Sequence, residues 1–145
     1  MIYLDASVLL PQFRKEATSG EATEYLRALP PGGVCISRWT WTEVISAIGQ
    51  KVQMNVIDQI QADHLIKDFD NLIPKVLQLI VPNPADYNQT LSFMKNSSVK
   101  LRWADALHLA VVSNRLKHEM LTSDTGLFVA AAVLNVKARL VSWDS

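Results

Sequence analysis

The sequence predicts an α/β fold, a three-layer α/β/α sandwich around a parallel sheet, built as one domain over residues 1–145. Two observations predict it. Short apolar runs rich in branched residues alternate with longer segments of helical periodicity from end to end, the order that lays helices on both faces of parallel strands. The length of 145 residues, 49% of them hydrophobic, suits a single core. No repeat, low-complexity segment or linker divides the chain.

Ile2-Tyr3-Leu4 reads as a short buried strand that stops at Asp5, and Ala6–Phe13 follows with helical character despite Pro11. Thr18–Leu29 reads as an amphipathic helix, with Ala22, Tyr25, Leu26 and Leu29 on one face. Pro30-Pro31-Gly32-Gly33 ends it, and Val34–Ser37 is the second strand. Thr40–Gln53 is a helix burying Val44, Ile45, Ala47 and Ile48. Val56–Ile73 is another, broken before Pro74, with Ile57, Ile60, His64 and Phe69 near one stripe. Val76–Val81 is a third strand, and Pro82-Asn83-Pro84 turns the chain into a helix over Ala85–Met94. After the polar loop Lys95–Lys100 come a helix over Trp103–Arg115, a strand at Met120–Thr122, a helix over Thr125–Leu134 and a last strand at Ala138–Ser142.

Fourteen basic and 14 acidic residues leave a formal net charge of zero. Any nucleic-acid binding must therefore use a local patch or a bound cation, not bulk charge. Cys35 is the one cysteine, which excludes an internal disulfide and a thiolate cage for a metal and suits a reducing cytoplasm. No basic segment precedes an apolar run at the start, so no signal peptide is expected. The apolar run Leu127–Leu134 is far too short to span a bilayer, so no membrane partner is expected either.

The acids carry the chemistry. Asp5 follows the first strand, Glu43 lies in the first turn of the helix after the second, Asp105 opens the helix in Arg102-Trp103-Ala104-Asp105, and Asp124 follows the fourth strand. Parallel strands end on one edge, where open α/β sheets bind their ligands. Each acid also has a plain structural explanation: Asp5 and Asp124 as helix N-caps, Glu43 as the partner of Thr40 in a capping box, Asp105 as a dipole complement. Together they point elsewhere. Carboxylates gathered in a partly buried pocket raise one another's pKa, and a hard divalent cation relieves that repulsion.

The series Asp5-Ala6-Ser7, Thr42-Glu43, Asp105-Ala106-Leu107-His108-Leu109-Ala110 and Thr122-Ser123-Asp124 resembles the PIN-domain signature, and the spacing resembles the VapC-like toxins in particular. The resemblance runs over nearly the whole chain. It implies a Mg²⁺- or Mn²⁺-dependent endoribonuclease, with Asp5, Glu43, Asp105 and Asp124 as its catalytic and metal-holding acids. It also implies products with a 3′-hydroxyl and a 5′-phosphate, a cognate antitoxin protein as partner, and a homodimer. Where some members carry a further acid beyond the last one, Gly126, Leu127 and Phe128 stand here.

Ser7 and Thr122 are candidates for orienting the carboxylates, or for local turn bonds. His108, three residues past Asp105 and flanked by leucines, is expected to be a hydrogen-bonded packing residue. Arg38, Lys100 and Arg102 precede acid-bearing helices and are candidates for holding RNA phosphates, with Arg14 and Lys15 as an extension of the patch. Trp39 and Trp41 are expected to pack or to form a subunit interface, with base stacking as the alternative. The Thr18–Leu29 and Val56–Ile73 helices offer apolar stripes for a partner helix, or simply cover the sheet.

Three other readings compete with this one. A phosphohydrolase of the haloacid dehalogenase type needs a second Asp where Ser7 stands. A PIN-like module that only binds would lack the acids. A housekeeping RNA-processing nuclease without an antitoxin stays open.

Overall fold

In a computed structural model, residues 1–13, 24–76, 78–96 and 98–142 are described. The expected Thr18–Leu29 helix, Arg14 and Lys15 thus lie partly or wholly outside the described residues; of that helix, residues 24–27 are helical (α2).

Five strands form one sheet: β1 (Ile2–Leu4), β2 (Val34–Ser37), β3 (Gln78–Ile80), β4 (Glu119–Thr122) and β5 (Ala138–Leu140). Their order is β3-β2-β1-β4-β5, and every neighbouring pair is parallel. β1 lies in the middle, pairing Tyr3 with Cys35 on one side and with Met120 on the other. The chain winds outward from β1 to β2 and β3, then crosses back to β4 and β5. The reversal falls between β1 and β4, the place where such sheets open a crevice at their carboxyl ends.

The pleat sends alternate residues to opposite faces. Tyr3, Cys35 and Met120 meet Phe93, Leu107, Val111 and Ala131 in one core. Leu4, Ile36 and Leu121 meet Val8, Val44, Ile48 and Phe69 in the other. One face is thus covered by α1 (Ala6–Leu9), α3 (Arg38–Gln53) and α4 (Gln59–Val76), and the other by α5 (Pro84–Met94), α6 (Trp103–Ser113) and α7 (Thr125–Val133). The three-layer α/β/α arrangement is as the sequence predicts.

Several boundaries differ, for local reasons. The Ser37 side chain accepts from the Thr40 backbone N–H at 3.1 Å, so α3 begins at Arg38, not Thr40. Glu43 is therefore no capping-box partner of Thr40. Pro84 takes the first position of α5, where its missing N–H costs nothing, and Asn83 and Asp86 close a capping box. α3 and α7 end on Asn55 and Asn135, both at φ 57°, an αL stop that asparagine tolerates. α4 continues past Pro74, which was expected to break it. Its buried face is Ala62 and Phe69 with half-buried Leu65 and Ile66. Ile60 and His64, assigned to the buried stripe from the sequence, are exposed because that face is set two residues further on. Among the described residues, no helix is long and apolar enough to cross a membrane.

Candidate active site

Asp5 ends β1 and sits at the N-cap of α1, yet its side chain makes no capping bond. Its carboxylate, only 3% exposed, is instead held by two hydroxyls. Ser7 Oγ donates to Oδ1 at 2.6 Å and Thr122 Oγ1 donates to Oδ2 at 2.8 Å. Each hydroxyl is held in turn. Ser7 Oγ accepts the Ser123 N–H at 2.9 Å, and Thr122 Oγ1 accepts the Asp124 N–H at 3.0 Å. The ends of β1 and β4 are thereby laced together across the reversal in strand order. Burial pushes the Asp5 carboxyl above its ordinary range; His108 and the two hydroxyls pull it back, and Glu43 adds to the rise.

Asp124 does serve as a cap, since its Oδ1 accepts from the Leu127 N–H at 3.1 Å. The structural explanation of this residue holds, and it leaves the other oxygen free for a further partner. A Cβ at Gly126 would come within 3.3 Å of Oδ1, so glycine there keeps the carboxylate uncrowded. Asp105 lies in the first turn of α6 and lines a cavity of about 390 Å³ together with Lys100, Leu101, Arg102, Asp124, Gly126 and Leu127. Burial raises its carboxyl as well; Arg102, whose Nε lies 3.7 Å from Oδ2, lowers it, and Asp124 and Glu43 raise it.

Glu43 is reached through a buried chain of polar side chains that the sequence reading missed. Tyr3 Oη, wholly buried, meets Ser37 Oγ at 2.7 Å, Thr40 Oγ1 at 3.1 Å and His108 Nδ1 at 2.5 Å. His108 Nε2 bonds Glu43 Oε1. One assignment satisfies every group: Ser37 donates to Tyr3, Tyr3 to Nδ1, and Nε2–H to Glu43. Burial pushes the Tyr3 hydroxyl well above its ordinary range, which keeps it a donor. His108 is thus the hydrogen-bonded, buried residue expected, but its partner is one of the four acids. A tyrosine facing inward from a central strand was the available signal, and only the tertiary contact gave it meaning.

All four acids therefore stand at the carboxyl edge. Asp5 and Asp124 share Thr122, Asp105 and Asp124 share the cavity, and the Glu43 charge is felt by both Asp5 and Asp105. Among the described residues, no three of the His, Cys, Asp and Glu side chains stand as a ready-made cage. The donor set is all oxygen, and two of its carboxyls are raised by burial. That suits a hard divalent cation that binds through one or two carboxylates and keeps much of its water. Of the basic candidates, Lys100 and Arg102 line the cavity, whereas Arg38 is exposed with its guanidinium 4.9 Å from the centroid of the Trp41 ring. Trp39 packs: its Nε1 donates to the Ala104 carbonyl at 3.0 Å and its ring lies 4.8 Å from that of Trp103.

The PIN domain model matches residues 2–134. No curated protein matches in sequence. Among solved structures, FitAcB from Neisseria gonorrhoeae is similar over 100% of both chains at 21% identity and a TM-score of 0.75. VapC20 from Mycobacterium tuberculosis, described as a sarcin-ricin loop cleaving toxin, is similar over 90% of this chain and 95% of its own at 15% identity and a TM-score of 0.72. A toxin–antitoxin complex from Klebsiella pneumoniae is similar over 88% and 90% at 20% identity and a TM-score of 0.63.

Proposed function

The chain belongs to the PIN domain family, and from that premise we propose that it is a metal-dependent endoribonuclease, the toxin of a toxin–antitoxin pair. The observation that carries this reading is the gathering of Asp5, Glu43, Asp105 and Asp124 at one sheet edge beside a cavity flanked by Lys100 and Arg102. The four acids would hold Mg²⁺ or Mn²⁺. Bound there, the ion would supply activation of a water and stabilisation of charge on a phosphate.

The rest of the work falls to the chain's own side chains. Ser7 and Thr122 fix both oxygens of Asp5. His108, itself oriented by Tyr3, fixes Glu43. Lys100 and Arg102 hold RNA phosphates beside Asp105, Arg102 giving up its loose contact with that acid to do so. The antitoxin partner belongs to the same proposal and is supported by the similarity in fold to toxins and to a toxin–antitoxin complex; the homodimer and a cytoplasmic setting are carried with it from the family resemblance.

The test is incubation with a panel of RNAs in Mg²⁺, Mn²⁺ or EDTA, comparing wild type with Asp5→Asn. Cleavage is expected with either ion and not in EDTA, and Asp5→Asn is expected to abolish it while leaving the fold intact. Undiminished cleavage by a folded Asp5→Asn protein would overturn the assignment.

A further inference from the structure

α3 and α6 meet at the carboxyl edge in two rungs. Trp39 contacts Trp103 and Ala104, and one turn further along both helices Glu43 contacts His108. The contacts advance in the same sense on each helix, so the two run alongside each other. α3 leaves directly from the end of β2. The tryptophan rung is therefore nearer the rim by about one helical turn, roughly 5 Å. The Glu43–His108 contact lies one turn deeper, and Asp105 follows Trp103 by two residues in the first turn of α6.

The two rings are not equivalent. Trp39 is half-buried and pinned by its bond to Ala104. Trp103 lies against it at an interplanar angle of 42° and leaves 57% of its surface exposed. The pinned ring fixes the exposed one, which presents a large aromatic surface at little entropic cost. Tyr87 is exposed as well, but it adjoins no cavity-lining residue in the chain. Trp103 directly follows Arg102, which lines the cavity with Lys100. Cationic side chains beside an exposed ring are the chemistry that takes phosphate and base together from a single strand. A base inside a duplex has no free face to offer.

We propose that Trp103, backed by Trp39, is a stacking platform for one unpaired nucleobase next to the cleaved bond, so that the substrate is single-stranded at that nucleotide. This rests on the ribonuclease reading for the identity of the ligand, but its test does not depend on cleavage.

Binding of short labelled oligo(A) and oligo(U) RNAs to the full chain is followed by fluorescence anisotropy in EDTA. Trp103→Leu keeps apolar bulk and loses the π-face; it is expected to weaken single-strand binding by about 5- to 150-fold, the range of one base–aromatic stack. Trp103→Phe is expected to lose much less. One abasic nucleotide in the wild-type complex should mimic the leucine variant, and binding of a duplex should not respond to Trp103. The abasic scan uses the native protein, so it stands even if a variant misfolds. Equal binding by wild type and Trp103→Leu, equal losses for duplex and single strand, or no abasic position that matters would each overturn the platform. So would a change in oligomer size or antitoxin capture with RNA affinity unchanged, which would make Trp103 a protein contact. Trp103-dependent binding in a protein that cleaves nothing would sink the nuclease reading and keep the platform. Cleavage with Trp103-independent binding would do the reverse.

Discussion

Thr122 holds two acids through one hydroxyl, which makes Thr122→Val the most informative single change. The residue is wholly buried, donates to Asp5 Oδ2 at 2.8 Å and accepts from the Asp124 N–H at 3.0 Å. Valine keeps the shape and removes both bonds, together with the 3.2 Å contact of Thr122 Oγ1 with Ser7 Oγ. A hydrogen bond to a charged group contributes about 1.5–3 kcal/mol. Asp124 is exposed, so its N–H finds water and adds little. The extra buried methyl returns about 0.8 kcal/mol. The net loss is about 1–2 kcal/mol, and Tm should fall by about 3–8 °C for a domain of this size. Activity should fall further than stability, by about 10- to 100-fold, the usual cost of removing a group that orients a metal-holding carboxylate. Urea denaturation in EDTA gives the first number and initial cleavage rates with Mn²⁺ the second. Thr122→Ser should restore most of both. A Thr122→Val protein that melts and cleaves like wild type would refute the reasoning, because the hydroxyl would then be packing and nothing more.

Three further outcomes are expected. The folded-state carboxyls of Asp5 and Asp105 are raised above the unfolded value of 3.8, chiefly by burial. Between 3.8 and those raised values the folded chain holds protons that the unfolded chain has released, so metal-free stability should fall as pH rises through that window and return on acidification. Asp5→Asn should flatten the slope of the urea midpoint against pH in EDTA; an unchanged slope would contradict it. Asp86 behaves oppositely. Burial raises it, but its bonds to Arg115, Asn83 and Asn114 prevail and hold it below its ordinary value, so its contribution is present above 3.8 and lost as pH falls further. It is wholly buried and pairs Arg115 at 2.9 Å, so Asp86→Ala should cost about 3–5 kcal/mol by calorimetry, and a loss below about 1 would refute the pairing's role. Asp124→Asn should keep the α7 cap and lose cleavage, whereas Asp124→Ala should lose about 1 kcal/mol as well; equal melts for the two would show that the cap contributes nothing.

The sequence by itself determined the layers and pointed to the edge at which the acids gather. Alternating short strands and helices allow little else, and a parallel sheet puts Asp5, Glu43 and Asp124 at one edge, whereas Asp105 reaches it through the packing of α6, a helix that follows another helix. The motifs around those acids were enough to suggest the family, because Asp5, Glu43 and Asp124 follow strand ends closely and Asp105 stands in the first turn of α6. Boundaries were less legible where a cap decided them: Ser37, not Thr40, starts α3, and that shift freed Glu43 from the capping box assigned to it. Of the stripe that periodicity picks out, Phe69 is buried and Ile57 half-buried, but Ile60 and His64 are exposed, since an apolar stripe in a sequence does not say which neighbour the helix will meet. Tertiary structure alone decided which acid has which partner. The Tyr3–His108–Glu43 chain joins residues up to 105 positions apart, the Thr122–Asp5 bond spans 117, and Trp39 reaches Ala104 across 65. Local preference fixes a helix or a strand within a dozen residues, but hydrogen bonds over such separations form only when the sheet has brought its strand ends side by side.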